Sequence, residues 1–364
     1  MTNSISSLVP IITRVNANEG NPGDGFIRWV MEYIFEKCFN QQIQWLLINK
    51  FDKRDFLKYE DLIKDIGFIV YAGTPQYNNY DDWKLWYDDE MYKLLDEWDV
   101  KLVSIAGGAG IPQIDWDEKR FSRYCLRSAT TVELLAFRQQ IGSLFTVRDK
   151  YAHQLLNDLD IPNHLLPCTA TWASNYCNIN KKSNDCIALV PPSIGVMPPE
   201  QAGARDSVEM TVNLLNAYWM LGNSLRRKFP NKTIKIVPHG MKEYQLFSQG
   251  LHYSQIFYSN NAQSLLDFYS NCEYVISGRL HAALPAFGIE GTKVVSIEID
   301  TRGSATELFD KIHRIKFKSI AQNEEAVNKL VEKIDNIKPS AKSDLSSYEK
   351  QYVELLKKNF TTLP

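Results

Sequence analysis

The stretch EYVISGRLHAALPAFGIEGTKVVSIEI, residues 273–299, contains two short apolar runs separated by a segment of helical length. Short, unbroken apolar runs bounded by glycine or charged residues are typical of strands buried on both faces of a parallel sheet. Two parallel strands need a crossover connection, which is usually a helix. This stretch therefore predicts a strand–helix–strand unit.

The same alternation of apolar runs and helix-length segments extends through nearly the whole chain. It favours an α/β fold with open, doubly wound sheets, because each apolar run is followed by a segment long enough to cross over the sheet. The candidate strands are residues 7–13, 43–49, 67–73, 101–107, 143–148, 186–192, 233–239, 273–278 and 293–299.

Chain length and a break in the pattern predict two domains. The 364 residues correspond to two domains at roughly 150 residues each. The alternation stops between about residues 170 and 200, in an Asn-rich and then a Pro-rich segment. We predict Rossmann-like domains over 1–180 and 181–340, a C-terminal linker and helix over 341–364, and a cleft between the carboxyl ends of the strands of both domains.

One long helix is predicted over 207–228. Val208, Val212, Leu215 and Trp219 follow helical spacing there, so we expect them to form its apolar face.

Composition narrows the class of protein. The 41 basic and 43 acidic residues give a net charge of −2, which excludes a strongly basic nucleic-acid binder. The six cysteines are too sparse for a disulfide scaffold, so we expect buried thiols. The aromatic content of 12% suggests a platform for sugar rings, for which Trp83, Trp86 and Tyr87 are candidates. Without a signal peptide or a spanning segment, the sequence predicts a cytoplasmic protein and leaves peripheral membrane contact open.

The turn that follows the strand at 273–278 carries the strongest functional signal. Ser277 and Gly278 form a small-residue turn, and the start of a helix after such a turn binds anions through free N–H groups and the helix dipole. Arg279 adds a planar fork that fits a carboxylate or phosphate, and His281 can donate a proton to the same ligand. A helix-capping arginine beside a structural histidine is the alternative, and the strand–turn–helix setting favours the functional interpretation.

Two other segments could reach the same cleft. Gly107 and Gly108 follow a strand in SIAGGAG and would let the backbone approach a ligand, although a tight turn without a ligand explains them equally well. The segment fits neither a dinucleotide fingerprint nor a P-loop. In NPGDGFIRW, Asp24 is expected to cap a helix that begins near Gly25, and the same geometry would place Asp24 and Asn21 at the cleft rim.

Several single residues are further candidates. Arg205 follows the Pro-rich loop and could contact an anion, and His239 ends a strand on the edge that carries Arg279 if the second sheet is parallel. Glu298 and Asp300 end another strand and would hold sugar hydroxyls or the histidine, or remain solvated loop carboxylates.

The Arg148–Asp149 pair in TVRDKYAH is expected to be an internal ion pair that fixes its loop. No clustered metal ligands are apparent in the sequence.

Taken together, these motifs resemble the polysaccharide pyruvyl transferase family. SGRLHAALPAFG followed by KVVSIEID is similar to its C-terminal signature, and NPGDGFIRW, SIAGGAG and TVRDKYAHQLLNDLDIPN are similar to its earlier motifs, in the family's order. The resemblance spans about residues 20–315. It implies a GT-B-like fold and transfer of the pyruvyl unit of phosphoenolpyruvate onto two hydroxyls of a sugar, as in capsule or exopolysaccharide biosynthesis.

The resemblance also implies roles for individual residues. Arg279 would bind the donor phosphate or carboxylate with help from the backbone of Leu280, His281 would be the proton donor, and Arg205 a second donor-binding arginine. It implies no cofactor and no metal, and its partners would be phosphoenolpyruvate and a saccharide that is free, polymeric or lipid-linked. A glycosyltransferase with a nucleotide-sugar donor and an inactive saccharide-binding protein of the same fold remain alternatives.

Overall fold

Two parallel sheets organise the molecule. The structure is a computed structural model that describes residues 7–13, 22–40, 43–49, 53–82, 90–110, 116–193, 204–249, 255–317 and 320–360. Every strand pair in these ranges is parallel. The strands are β1 Ser7–Thr13, β2 Ile43–Asn49, β3 Phe68–Ala72, β4 Pro75–Tyr77, β5 Lys101–Ala109, β6 Gly142–Val147, β7 His164–Leu165, β8 Cys186–Val190, β9 Thr233–Ile236, β10 Cys272–Ser277, β11 Lys293–Glu298 and β12 His313–Lys316.

Helices connect most of these strands, as parallel pairing requires. They are α1 Pro22–Phe39, α2 Lys53–Leu57, α3 Glu60–Ile66, α4 Glu90–Glu97, α5 Glu118–Cys125, α6 Ala129–Ile141, α7 Lys150–Asn157, α8 Ala173–Tyr176, α9 Ala204–Lys228, α10 Met241–Ser248, α11 Ala262–Tyr269, α12 Leu280–Phe287, α13 Ile320–Lys333 and α14 Ser343–Asn359. Short 3₁₀ helices cover Thr169–Trp172, Thr301–Thr306 and Ile334–Asn336.

Each sheet reverses its strand order at one point. The first sheet runs β2-β1-β3-β5-β6-β7 with β4 beside β5, and the second runs β12-β11-β10-β8-β9. The direction of winding therefore changes between β1 and β3 in the first sheet and between β8 and β10 in the second. Open α/β sheets bind ligands at the carboxyl ends of the strands at such points.

The nine strands predicted from the sequence are confirmed within a few residues, and so is the α/β, doubly wound class. Three strands were missed, namely β4, β7 and β12. They are two to four residues long, too short to show a period, and they lie at the margins of the sheets.

The apolar face predicted for α9 is wrong at Val212, whereas Leu215 packs against the core of the second sheet and the side chain of Val208 lies outside the described residues. Val212 is 47% exposed and Trp219 is half-buried, whereas Ala217, Tyr218 and Leu221 are buried. The hydroxyl of Tyr218 donates to the carbonyl oxygen of Val190 at the end of β8, at 2.8 Å. Apolar residues occur on several sides of this helix, and the contact with the second sheet decides which side faces inward.

A shared apolar core joins the two sheets. The buried face of α1 packs against α8, α12 and α14, and the resulting cluster contains residues of both halves of the chain. From the C-terminal end, α14 returns to the first sheet, where the Tyr352 hydroxyl donates to the Pro167 carbonyl oxygen at 2.8 Å. These contacts fix the two carboxyl edges relative to each other.

All six cysteines are free thiols, and four of them are buried. Among the helices in the described ranges, none is both long enough and apolar enough to cross a bilayer.

Candidate active site

A cavity of about 150 Å³ lies where the carboxyl edges of the two sheets meet. Its walls come from the ends of β3, β6, β8, β10 and β11, so the cavity lies at the reversal point of the second sheet. The lining residues are Asp24, Thr74, Pro75, Arg148, Ser193, His239, Gly278, Arg279, Leu280, His281, Ser296, Ile297, Ile299, Asp300, Arg302 and Gly303.

The turn after β10 is held by its own polar groups. The Ser277 hydroxyl accepts a hydrogen bond from the Arg279 amide and donates to the Arg279 carbonyl oxygen, both at 2.9 Å. The Gly278 amide donates to the carbonyl oxygen of Val190. A Cβ at Gly278 would lie 2.9 Å from Pro192 Cδ, so only glycine fits. Ser277 therefore fixes the conformation of the turn through hydrogen bonds to the Arg279 backbone, and it does not line the cavity.

Arg279 is held at the cavity wall by a buried carboxylate. Its Nη2 lies 2.6 Å from Glu243 Oε1, and its Nε donates to the Pro191 carbonyl oxygen at 3.3 Å. Burial, with Arg302 nearby, lowers the pKa of Arg279, but an arginine in a protein stays charged. The Leu280 amide follows as the first of α12, where an N–H has no acceptor within the helix.

His281 lies at the contact between the two halves of the molecule. Its φ of −82° and ψ of 24° interrupt the helical conformation inside α12. Its Nε2 lies 3.4 Å from Arg148 Nη1 and 3.6 Å from Cys168 Sγ. A Cβ at Gly23, in the first turn of α1, would lie 2.7 Å from His281 Cβ, so α1 can approach the imidazole only through a glycine.

Arg148 is 1% exposed and has no carboxylate partner within 4 Å among the described residues. Its Nε is buried without a hydrogen-bond partner. The predicted ion pair with Asp149 is wrong, because the Asp149 carboxylate accepts hydrogen bonds from the amides of Ala109 and Ala152. The Asp149 charge lies close enough to interact with Arg148, but its oxygens are engaged by backbone amides. A buried guanidinium that forms no salt bridge gains strongly when an anion joins it, so Arg148 is a candidate anion-binding group.

Arg302 is a third arginine on the cavity wall that sequence reasoning missed. Its guanidinium forms a forked pair with Asp300, with Nε 2.9 Å from Oδ2. Asp300 therefore holds an arginine in place, where the sequence suggested contact with sugar hydroxyls. A sequence signal existed, since Arg148 follows directly after the end of β6 and Arg302 comes four residues after the end of β11.

His239 lines the cavity as a neutral side chain. Its Nε2 lies 2.6 Å from the Tyr269 hydroxyl, and its Nδ1 is buried without a partner. Burial and the charge of Arg279 hold the pKa of His239 well below its usual value. The second sheet is parallel, and His239 and Arg279 do line one cavity.

Thr74 is a strained residue on the side of the first sheet. Its φ of 62° is rare for a β-branched residue, and its Oγ1 is buried without a partner. The neighbouring Gln76 holds this loop by donating to the Gly73 carbonyl oxygen at 2.6 Å, while Arg138 Nη2 donates to Gln76 Oε1 at 2.6 Å. Strain of this kind is common at binding sites.

Asp24 lines the cavity, although not as a helix cap. The expectation that α1 begins near Gly25 is wrong, because the helix begins at Pro22 and Asp24 lies within its first turn. A proline at the first helical position has no N–H to leave unpaired. A carboxylate in the first turn is stabilised by the helix dipole.

Other candidates do not reach the cavity. Gly107 packs against Tyr77 and Gly108 against Arg148, so these glycines make room for side chains. Glu298 lies beneath Gly303, and burial raises its pKa. The Arg205 side chain, Asn21, Trp83, Trp86 and Tyr87 lie outside the described residues.

The cavity thus combines three arginines, two histidines and two carboxylates, and His239 is the histidine that is held neutral. Such a set can bind a small anion and move protons beside it. Within the described ranges, no three His, Cys, Asp or Glu side chains come close enough together to hold a metal ion.

Comparisons with known proteins agree with this arrangement. The family model described as polysaccharide pyruvyl transferase matches residues 21–300. A search of curated protein sequences finds no match.

Solved structures show the fold. The UDP-GlcNAc 2-epimerase of Methanocaldococcus jannaschii, solved with UDP-GlcNAc and UDP, is 13% identical with a TM-score of 0.54, over 96% of this chain and 99% of that one. The S. aureus MnaA–UDP structure is 10% identical with a TM-score of 0.52, over 98% and 99% of the two chains. The predicted GT-B-like fold is confirmed.

Proposed function

Because the chain belongs to the polysaccharide pyruvyl transferase family, we propose that it transfers the pyruvyl unit of phosphoenolpyruvate onto two hydroxyls of a sugar, forming a cyclic ketal. The observation that carries the proposal is the buried Arg148 guanidinium, which forms no salt bridge with the described residues and lies beside His281 in the cavity that Arg279 also lines. That arrangement suits a small, highly charged anion that must be protonated.

Phosphoenolpyruvate fits the chemistry of this cavity. It carries a phosphate and a carboxylate on adjacent groups, and arginine forks bind both. Arg148 and Arg279 come from opposite sheets, so one donor could be held between them. The volume of about 150 Å³ suits such an anion better than a nucleotide sugar, since pockets for larger ligands hold about 300–1,000 Å³.

The steps balance without oxidation or reduction. His281 protonates the methylene carbon, leaving an oxocarbenium-like centre at C2 that one sugar hydroxyl attacks, forming a C–O bond and releasing its proton. The C2–O bond to phosphate then breaks, and the second hydroxyl closes the ring and releases its proton. One of the two released protons restores His281 and the other leaves on the phosphate, so we propose that no cofactor takes part.

Two neighbours are proposed to set the protonation of this site. Arg148 is 3.4 Å from His281 Nε2 and opposes a positive charge on the imidazole. A carboxylate or phosphate bound beside both offsets that repulsion, so donor binding favours the protonated acid. Asp24 lines the same cavity and is our candidate to accept a proton from the attacking hydroxyl.

We expect phosphoenolpyruvate to raise the melting temperature of the protein, because it would bring charge to Arg148. UDP-sugars serve as the competing ligands, since the structurally similar M. jannaschii and S. aureus proteins were solved with UDP or UDP-GlcNAc. Mass spectrometry of a galactoside and N-acetylmannosaminide library incubated with phosphoenolpyruvate should then show a ketal product. Stabilisation by UDP-sugars alone would replace our proposal with a glycosyltransferase, and stabilisation by saccharides without any product would indicate a binding protein.

Gly23→Ala should lower turnover about 100-fold, because misplacing a catalytic group by about 1 Å has an effect of that size. The new Cβ would lie 2.7 Å from His281 Cβ and push the imidazole away. Gly222→Ala is the matched control. Gly222 lies in α9, and a Cβ there meets only Leu189, at an ordinary contact distance of 3.5 Å. Equal rates of phosphate release in both variants would show that the contact between α1 and His281 does not position the acid.

A further inference from the structure

A second pocket, of about 310 Å³, lies on the surface of the first half of the chain, apart from the catalytic cavity. It is lined by Trp116, Arg120, Arg123, Tyr124 and Arg127, which we call the arginine–tryptophan pocket. None of these residues lines the cavity that holds His281. We propose that this pocket binds a phosphate group carried by a ligand other than the pyruvyl donor.

The three guanidinium groups of the pocket are exposed and uncompensated. Within the described part of the chain, none of them forms an ion pair, and Arg123 Nε donates only to the Lys119 carbonyl oxygen at 3.3 Å. One adjacent carboxylate, Asp82, accepts a hydrogen bond from the Tyr124 hydroxyl of the pocket, and two others are engaged elsewhere. Asp117 caps α5 by accepting from the Arg120 amide at 2.7 Å, and Glu118 pairs with Lys150 at 2.7 Å.

The aromatic walls are rigid. The rings of Trp116 and Tyr124 meet edge to face at 4.9 Å, and the Arg120 guanidinium lies 5.0 Å from the centre of the Trp116 ring. The Tyr151 hydroxyl donates to the Trp116 carbonyl oxygen at 2.7 Å, and Asn79 donates to that of Tyr124 at 3.1 Å. A preformed pocket loses little side-chain entropy when a ligand binds.

The charge of the pocket selects its ligand. Three arginines that form no ion pair with the described residues lie within eight consecutive positions, in a chain whose net charge is only −2. Arginine forks bind phosphate oxygens in pairs, and the ring of Trp116 holds one fork in place. A phosphate ester or a phospholipid headgroup presents this same chemistry.

The pocket lies on the half of the chain that carries the first sheet. The α5 helix packs on α7, which begins two residues after Arg148, and Asn79 ties it to the segment that follows Thr74. A ligand whose phosphate occupies the arginine–tryptophan pocket would therefore lie along the edge of the first sheet. Phosphate binding there does not depend on the transfer reaction, so its test is independent of the proposed function.

The test compares two paired variants in titration calorimetry with inorganic pyrophosphate and in flotation with vesicles. Arg120→Gln with Arg123→Gln removes two charges from the pocket, and Arg226→Gln with Arg227→Gln removes two from the end of α9. We expect the first pair to bind about tenfold more weakly and the control pair to bind like wild type. Both pairs are also titrated in the Arg148→Met background, which weakens anion binding to the catalytic cavity, so that the remaining difference between the pairs reports the arginine–tryptophan pocket.

The probes distinguish the source of the phosphate. Binding of pyrophosphate that the pocket variant weakens indicates a soluble phosphate ester. Binding only to vesicles that contain phosphatidylglycerol, and not to pure phosphatidylcholine, indicates a headgroup, and raised salt should weaken either interaction. No binding to any probe, or equal binding by the two paired variants, would overturn the proposal.

Discussion

Replacing His281 with glutamine is expected to lower the rate of phosphate release from phosphoenolpyruvate and acceptor by about 10²–10⁴-fold, the usual contribution of a general acid. Glutamine keeps a polar side chain of similar reach but has no proton to give to the methylene carbon. His281 lies in a kinked turn beside Arg148 and Cys168, with no role in the apolar core. The fold should therefore survive the change.

Measurement of turnover and donor binding together isolates the acid role. Phosphoenolpyruvate should still raise the melting temperature of the H281Q variant, because Arg148 and Arg279 remain. The matched control is His164→Gln, at an exposed position on β7, which should turn over like wild type. Near-normal phosphate release by H281Q would remove His281 from the mechanism.

The sequence predicted the strands well because a parallel strand buried on both faces consists of a nearly continuous run of apolar residues. β8 and β10, which hold the site, are of this kind, with buried residues along nearly their whole length. β4 and β7 contain three and two residues and exist only because a neighbouring strand offers hydrogen bonds. Pairing of that kind is decided by tertiary contacts, which no local pattern records.

The sequence predicted the site residues correctly where they lie in one short segment. Arg279 and His281 share a strand end and a helix start, so their common location follows from local structure alone. Arg148 was misassigned because the adjacent Asp149 suggested an ion pair. Both side chains pass over Gly108. The Asp149 carboxylate is taken by the amides of Ala109 and Ala152, because Asp149 caps α7, while the Arg148 guanidinium reaches the cavity.

Two buried arginines in the first half of the chain show what separates a structural charge from a functional one. Arg138 and Arg148 are each 1% exposed. Arg138 Nη2 donates to Gln76 Oε1 at 2.6 Å and Ser104 Oγ at 2.9 Å, and its guanidinium lies over the Tyr77 ring at 4.7 Å. Arg148 has only the long contacts to His281 and Cys168. Both arginines have a buried Nε without a partner. The protein supplies neutral hydrogen-bond acceptors to the Nη2 of Arg138, whereas the end of the Arg148 guanidinium faces the cavity.

Replacing Arg148 with methionine should consequently stabilise the free protein while weakening donor binding. The change removes a buried charge that forms no salt bridge with the described residues, so the free energy of unfolding should rise by about 1 kcal/mol. The affinity for phosphoenolpyruvate should fall about 100-fold, since two charge-assisted hydrogen bonds contribute about 1.5 kcal/mol each. Arg138→Met is the matched comparison and should lower the free energy of unfolding by about 3 kcal/mol, because it leaves Gln76 and Ser104 without a buried donor.

Urea unfolding with and without phosphoenolpyruvate measures both effects on each variant. The expected result is a crossing, in which R148M is the more stable variant without donor and gains little stability when donor is added. R138M should start lower and still gain stability from the donor, because Arg148 remains in place. If R148M loses stability without donor as R138M does, then Arg148 is a structural charge, and the anion site must be assigned to Arg279 and Arg302 alone.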